Sequence, residues 1–151
     1  MEIPRDVPYL AEQFIAGREL TVGVVDQGDG PLALPPIEIE IDAGLSFDYD
    51  SKYLGKGSRE ICPAKISDRM RKAADEVALA AHTTLGCEGY SRTDMIAADE
   101  DHLYFLELNT LPGLTGSSLV PKELRAAGIE FRDFLERQVE LARNRSAKVL
   151  D

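Results

Sequence analysis

The sequence predicts an α+β fold in which a largely antiparallel β-sheet is flanked by helices. Residues 37–42 alternate isoleucine with acidic side chains, the period-two pattern of a strand with one buried face. Residues 89–97 and 103–109 are rich in β-forming side chains on either side of the acidic turn "ADEDH", which predicts a hairpin. Residues 67–85 carry apolar side chains at helical spacing and end at Gly86, which predicts a helix.

The N-terminal part of the chain predicts a second pair of strands. The run at 20–25 is rich in β-branched residues, and Asp29-Gly30 is a hairpin signal before the strand that ends near residue 42. We expect these two strands to pair antiparallel. Residues 43–63 are polar, rich in Gly and Tyr and without clear periodicity, so they predict a long loop of the kind that is often functional.

The remaining segments predict helices. Ser67 is a suitable N-cap for the helix that carries Met70, Ala74 and Ala78 on one face. After the Pro112-Gly113 break, a short helix should end near Gly128, and a second should span 131–143. The last residues look like a tail, so we expect one lobe over residues 1–145 and a tail over 146–151.

Composition limits the class of function. With 151 residues, 44% hydrophobic and no apolar run long enough for a bilayer, the chain is expected to be a soluble cytoplasmic domain without a membrane partner. A net charge of -10 argues against a nucleic-acid partner, because backbone binding relies on clustered Lys and Arg. A nucleotide whose charge is met by metal ions fits this balance.

Four polar residues of the second hairpin are candidates for a site. Arg92 and Asp94 are two apart on one strand, and Glu107 and Asn109 are two apart on its partner, so each pair points to one face. Carboxylate and amide oxygens are ligands that Mg²⁺ takes in phosphoryl-transfer sites. An alternative is a solvated face on which Arg92 pairs with the carboxylates. The apolar residues around Glu107 and Asn109 are expected to face the core.

Four longer stretches resemble a known family. These stretches, "EQFIAGRELTV", "YDSKY", "GCEGYSRTD" and "FLELNTLPGLTGSSLVP", together resemble the C-terminal part of D-alanine–D-alanine ligases, which belong to the ATP-grasp superfamily. The resemblance extends from about Tyr9 to Leu141, and the last stretch is its most specific motif. It implies the fold of a C-terminal ATP-grasp lobe and an ATP-dependent ligation that forms D-alanyl-D-alanine for peptidoglycan.

By this resemblance, the hairpin residues bind metal and stabilise charge. Asp94, Glu107 and Asn109 would hold two Mg²⁺ ions, or Mn²⁺ in their place, against the ATP phosphates, with Glu107 bridging the ions. Arg92 and the backbone N–H of Gly113 would stabilise the oxyanion that forms at the acyl carbon. Both assignments agree with physical need, since phosphoryl and acyl transfer depend on neutralising oxygen charge.

The resemblance also implies sites for the second substrate and for closure. Ser118 and the N–H of Leu119 would bind the carboxylate of the second D-alanine at a helix N-terminus. Lys52 and Tyr53 would belong to a flap that excludes water, with Lys52 reaching the transferred phosphate. The Lys-Tyr pair favours D-alanine over D-lactate as the second substrate.

A further segment is implied to bind the nucleotide. Glu19 would bind the ribose hydroxyls. Adenine would contact a hinge formed by Glu12, Gln13, Phe14 and Ile15. On its own this stretch is more typical of an ordinary strand and turn.

The chain departs from the family pattern in several ways. Phe47 stands where many members have tyrosine, and Gln13 where lysine is frequent. The family's N-terminal domain and first ATP-grasp lobe have no counterpart here, so we expect the missing N-terminal half as a partner and the isolated lobe to be inactive. The resemblance further implies a homodimeric full-length ligase. The alternatives are another ATP-grasp carboxylate-amine or D-alanine–D-lactate ligase and a non-catalytic nucleotide-binding module.

Overall fold

The computed structural model describes residues 8–41 and 58–149. The expected Lys52 and Tyr53, together with Phe47, lie outside these ranges. The strands of the described part are β1 Arg18–Asp26, β2 Pro31–Ala33, β3 Ile37–Ile41, β4 Ser58–Ile61, β5 Tyr90–Ala97 and β6 Leu103–Asn109. Its helices are α1 Asp68–Thr84, α2 Leu119–Ala126 and α3 Phe131–Val149.

The strands form one sheet in the order β4-β3-β1-β5-β6, with β2 paired to β1, and the pairs are antiparallel. The predicted α+β fold with an antiparallel sheet is therefore confirmed. Among the helices of the described ranges, none combines the length and apolar character that crossing a bilayer requires.

Strand β1 lies at the centre and is buried on both faces. Leu20, Val22 and Val24 face α1, where a cluster with Met70, Ala74, Ala78, Met95 and Ala97 forms the larger core. Val25, on the opposite face, packs with Leu34, Val120, Leu124 and Phe134 under α2 and α3. Helix α1 therefore covers one face of the sheet, whereas α2 and α3 contribute a second core on the other.

Helix α1 begins and ends where the sequence predicts. The Ser67 hydroxyl accepts a hydrogen bond from the Met70 N–H at 3.2 Å, which satisfies one of the free donors of the first turn. Gly86 follows the helix with a φ of 64°, a left-handed conformation that glycine adopts without steric cost. Met70, Ala74 and Ala78 are buried on the predicted face.

Both predicted hairpins are confirmed. Asp26 pairs with Pro31 across the first turn, where Gly28 and Gly30 have positive φ angles of 107° and 117°. Pro35-Pro36 divides the strand that follows into β2 and β3, because proline cannot donate to a ladder. In the second hairpin β5 pairs with β6 from Ala97↔Leu103 to Arg92↔Asn109.

Two sequence expectations about strands were wrong. Residues 58–61, which were expected to lie in a loop, form β4 at the sheet edge. Their sequence has no hydrophobic alternation, and antiparallel pairing with β3 holds them in a strand instead. Glu38, expected on the polar side of β3, is only 6% exposed. It is tolerated there because Arg18 donates two hydrogen bonds to its carboxylate, at 2.6 and 2.7 Å.

The expectation that the apolar residues around Glu107 and Asn109 face the core was wrong for three residues of β6. Tyr104, Phe105 and Leu106 are 43%, 48% and 49% exposed. Strand β6 is the edge of the sheet, so it has a neighbour on one side only within the described part of the chain. At the other end of the chain, α3 continues to Val149, beyond the predicted end at 143 and through the start of the expected tail.

We predict that Gly17→Ala destabilises the fold by about 1 to 3 kcal/mol, since an added Cβ would lie 2.5 Å from the Ala97 carbonyl oxygen at the start of the β1–β5 pairing. Urea unfolding followed by circular dichroism measures this difference. Gly116→Ala is the control, because nothing lies within 4 Å of its added Cβ. Equal unfolding free energies for the two variants would contradict the close packing at Gly17.

Candidate functional site

The register of three strands aligns polar residues in two rows on one face of the sheet. In the first row Gly23 of β1 is opposite Arg92 of β5, which is opposite Asn109 of β6. In the second row Thr21 is opposite Asp94, which is opposite Glu107. Because side chains alternate across a strand, these residues share the face away from α1.

This face opens into a cleft of ≈ 600 Å³. Its walls include β1, β5 and β6, the segment after β6 and the N-terminus of α2. The cleft brings together eight residues that the sequence analysis singled out, namely Glu19, Arg92, Asp94, Glu107, Asn109, Gly113, Ser118 and Leu119. Side chains separated by up to a hundred positions in the sequence therefore line one space.

An ion pair occupies the floor of the cleft. Arg92 Nε donates to Asp94 Oδ1 at 2.8 Å, and Arg92 Nη2 donates to Asp94 Oδ2 at 2.6 Å. The Thr21 hydroxyl donates to the same Oδ1 at 2.6 Å. The side chains of Arg92 and Asp94 are 19% and 15% exposed, so the pair is largely desolvated but open to the cleft.

The surroundings of Arg92 keep its guanidinium group protonated. Burial lowers the pKa of Arg92, but its hydrogen bonds to Asp94 and the charges of Asp94, Glu123 and Glu107 more than offset this effect, so its pKa is raised. A guanidinium that stays protonated can donate to an anion in the cleft at any accessible pH.

The segment after β6 forms a tight loop at the cleft wall. The Asn109 side-chain oxygen accepts a hydrogen bond from the Leu111 N–H at 2.9 Å, which turns the chain at the end of the strand. The Ser118 hydroxyl accepts from the Thr115 N–H at 3.1 Å. A Cβ at Gly113 would lie 2.8 Å from that hydroxyl oxygen, so glycine allows the backbone to approach Ser118 closely.

Helix α2 presents its N-terminus to the same space. Ser118 is its N-cap residue and Leu119 its first helical residue, and both line the cleft. The N–H groups of a first helical turn have no intrahelical acceptor and carry partial positive charge. Arg92 and this helix end thus offer two separate positions for anionic groups.

A buried carboxyl group that the sequence analysis missed lies behind Arg92. Glu123 of α2 is fully buried, and its Oε1 accepts a hydrogen bond from the Gly23 N–H at 2.8 Å. Its Oε2 has no hydrogen-bond partner among the described residues. The helical spacing contained a signal for it, because Glu123 lies between Val120 and Leu124 on the apolar face of α2.

The environment shifts the titration of this carboxyl group strongly. Burial raises the pKa of Glu123 to about 8, against the opposing effects of the Gly23 hydrogen bond and the Arg92 charge. The negative charge of Asp94 raises the pKa further.

Two further residues, one buried beneath the cleft and one in its lining, have no local signal in the sequence. Thr21 is one of several threonines in the sequence, and only its register opposite Asp94 distinguishes it. Glu60 belongs to β4, which the pattern did not predict, and it pairs with Lys122 of α2 at the cleft margin.

The predicted adenine hinge lies outside the cleft lining of the described residues. Glu12, Gln13 and Phe14 are exposed and Ile15 is half-buried, in an irregular segment before β1. Phe14 is 88% exposed. Of the predicted nucleotide-binding residues that the structure describes, Glu19 alone lines the cleft.

The comparison with protein families decides the family. The model described as "D-ala D-ala ligase C-terminus" matches residues 3–140, most of the chain. The chain belongs to this family.

Named relatives agree with this membership. The chain is 49% identical over 132 residues to a D-alanine--D-alanine ligase of Desulfovibrio desulfuricans, and 48% identical over 134 residues to one of Syntrophobacter fumaroxidans. These matches cover 87% and 88% of the chain but 42% of each relative. The chain therefore spans about two fifths of the length of these ligases.

Solved ligase structures share the fold. The D-alanine--D-alanine ligase of Bacillus anthracis matches with a TM-score of 0.72 and 33% identity, over 91% of this chain and 44% of the other. The ligase of Coxiella burnetii matches with a TM-score of 0.75 and 26% identity, over 92% of this chain and 35% of the other. The expected ATP-grasp C-terminal lobe is thereby confirmed.

The divalent metal that this ligase family implies fits the donor set of the cleft. Among the described residues no three His, Cys, Asp or Glu side chains cluster at metal-binding spacing. Asp94 and Glu107 are nevertheless cross-strand partners, and Asn109 adds an amide oxygen to the same cleft. Few protein ligands, all of them oxygens, are typical of Mg²⁺ sites that share phosphate oxygens and keep several waters.

We predict that Glu123→Gln changes the pH dependence of stability. The pKa of Glu123 is raised from 4.5 to about 8 in the folded chain, so its contribution to stability is full below pH 4.5 and is lost as pH rises to about 8. Relative to the variant, the wild-type free energy of unfolding should fall by roughly 1 kcal/mol for each pH unit between pH 5 and 8.

Urea unfolding of both proteins at several pH values measures this slope, because all other titrations cancel in the difference. Glu130→Gln, an exposed position outside the cleft, should follow the wild type. Parallel curves for the wild type and Glu123→Gln would show that Glu123 titrates near its ordinary pKa in the folded chain.

Proposed function

We propose that the chain is the ATP-, metal- and second-substrate-binding lobe of a cytoplasmic ATP-dependent D-alanine–D-alanine ligase that serves peptidoglycan synthesis. The observation that supports this most is the convergence of the family motif residues in one cleft, where Asp94, Glu107 and Asn109 face Arg92 and the N-terminus of α2. Phosphate, carboxylate and developing oxyanion groups each have a complementary group there.

The metal ligands of this proposal are Asp94, Glu107 and Asn109. Two Mg²⁺ ions, for which Mn²⁺ can substitute, would neutralise the charge of the ATP phosphate oxygens when bound. Glu107 is exposed and lines the cleft, so its two carboxylate oxygens would be placed to share two ions there. Asn109 retains acceptor capacity beyond the hydrogen bond from Leu111.

The reaction would proceed in two transfers. The carboxylate of the first D-alanine attacks the γ-phosphorus of ATP and ADP leaves, which gives an acyl phosphate. The amine of the second D-alanine then attacks the acyl carbon, loses a proton and expels phosphate. Arg92, with its secured positive charge, and the N–H of Gly113 would stabilise the oxyanion of the second transfer.

The N-terminus of α2 would fix the second D-alanine. The Ser118 hydroxyl and the Leu119 N–H lie where the helix dipole favours a carboxylate. Thr115, which shares a hydrogen bond of 2.8 Å with the Ser118 hydroxyl, orients that hydroxyl. A carboxylate held at this end would leave the amine of the same substrate free to attack the acyl carbon in the cleft.

The remaining assignments rest on the motifs. Glu19 would bind the ribose hydroxyls, and Lys52 and Tyr53 would close over the phosphate and the second substrate. The hinge for adenine consists of Glu12, Gln13, Phe14 and Ile15. Exposure of Phe14 in this lobe is compatible with a wall that is completed by the N-terminal half of a full-length ligase. That half, and a homodimer of the full-length protein, are the expected partners.

A chimera tests the proposed function. Residues 1–151 would replace the corresponding C-terminal part of the Desulfovibrio desulfuricans ligase, to which the chain is 49% identical. We expect the chimera to form D-alanyl-D-alanine with release of phosphate from ATP. In the chimera, Asp94→Asn and Glu107→Gln should each lower kcat by at least about a hundredfold, because each removes charge that stabilises the transition state.

Glu130→Gln is the matched control and should leave kcat unchanged. A chimera that folds and binds Mg·ATP but forms no dipeptide, or that ligates D-lactate in preference to D-alanine, would contradict the proposed substrate. The isolated 151-residue chain should show no turnover, and turnover at the rate of the chimera would contradict its assignment as one lobe.

A further inference from the structure

Asp94 has two competing tasks in the proposed site, and this conflict points to a role for Glu123. A carboxylate offers about four acceptor positions. Three hydrogen bonds already reach Asp94, two from Arg92 and one from Thr21. A metal ion on Asp94 would place a second cation on the carboxylate that holds Arg92, which weakens that ion pair.

Glu123 is the other carboxyl group placed beside Arg92. Its Oε1 is bonded to the Gly23 N–H, and its Oε2 lies 2.6 Å from the position that a Cβ on Gly23 would take. Gly23 is directly opposite Arg92 in the β1–β5 register, and the Cβ positions of such pairs are roughly 5 Å apart. The carboxyl group of Glu123 therefore lies next to the Arg92 side chain.

The unused hydrogen-bonding capacity of the two side chains is complementary. Oε2 of Glu123 is buried and has no partner in the described part of the chain. Arg92 uses Nε and Nη2 on Asp94, so the hydrogen bonds to Asp94 leave its Nη1 donors for a second acceptor. Leaving a buried acceptor unpaired is costly, so a second arrangement that joins the two is favoured once Asp94 is engaged elsewhere.

We propose that Glu123 is a positioning residue that holds Arg92 in the cleft when a metal ion takes the charge of Asp94. This role rests on the proposed function, since it supposes that Asp94 binds a metal and that Arg92 acts on the substrate. Contact with the guanidinium favours the ionised form of Glu123. Arg92 then keeps one carboxylate partner in both states and stays directed toward the reacting group.

The mutual dependence can be measured in the 151-residue chain without any ligand. Asp94→Asn removes the negative charge that a metal ion would otherwise neutralise. Glu123→Gln removes the group that can ionise against Arg92 and keeps an acceptor for the Gly23 N–H. The readout is the rate at which the Arg92 Nε–H exchanges with water, followed by ¹⁵N NMR. Protection of the Gly23 amide and the free energy of unfolding report whether α2 remains docked.

We expect slow exchange at Arg92 in the wild type and in each single variant, because one carboxylate is enough to hold the guanidinium. In Asp94→Asn/Glu123→Gln the exchange should accelerate by about tenfold or more, a non-additive effect of the size seen for directly coupled residues. Asp94→Asn/Glu130→Gln is the matched control and should behave like Asp94→Asn alone. Exchange in Asp94→Asn that already equals the double variant would overturn the proposal.

A second measurement needs only one variant and covers the case in which the double variant does not fold. In Asp94→Asn a scalar coupling across the hydrogen bond, from a guanidinium nitrogen of Arg92 to the carboxyl carbon of Glu123, should become measurable as Arg92 moves onto Glu123. Absence of this coupling would overturn the proposal. Neither measurement involves turnover, so an inactive chimera with a positive NMR result would count against the proposed ligase function alone.

Discussion

The pairing register between β1 and β5 is the constraint on which the rest of the site depends. It extends from Arg18↔Ala97 to Val25↔Tyr90 and fixes which residues share a face. It sets Thr21 beside Asp94 and Gly23 beside Arg92. A slip by one residue would move the cleft side chains into the core under α1 and bring Val22 and Leu20 into the cleft. Burial on both faces of β1 is what prevents that slip.

The two faces of the sheet are covered unequally, and the cleft results from this difference. Helix α1 packs along one face through a continuous apolar cluster. On the other face, α2 and α3 build a second core around Val25 and Phe134, and Glu123 ties α2 to β1 at Gly23. The same attachment that completes the fold therefore positions the α2 N-terminus against Arg92. The contacts that stabilise the fold therefore also position the residues of the site.

Local patterns in the sequence were sufficient for most elements and for the candidate residues. The Ser67 cap, Gly86 and the two hairpins are short-range features, and each is present as predicted. The position of Ser118 and Leu119 at a helix start also follows from local signals. The motif residues lie in one cleft because side chains alternate between the two faces of a strand and hairpin pairing fixes which of them are neighbours.

Features that depend on distant partners could not be predicted in this way. The alternating pattern predicts Glu38 on the surface. Its burial depends on two hydrogen bonds from Arg18 of the neighbouring strand, a partner that is 20 positions away in the sequence. Strand β4 has no hydrophobic alternation and exists through its pairing with β3. The exposure of Phe105 follows from the edge position of β6, which no local pattern specifies.

The proposed site requires that one face of this sheet binds a divalent cation between β5 and β6. Paramagnetic relaxation by Mn²⁺ in ¹⁵N spectra of the 151-residue chain tests it most directly. We expect the amide signals of Asp94, Glu107 and Asn109 to broaden first, while those of Ala74 and Ala78 in α1, on the opposite face, remain sharp. Asp94→Asn should abolish the effect. Broadening centred on the acidic turn at 98–102 instead, unaffected by that substitution, would contradict it.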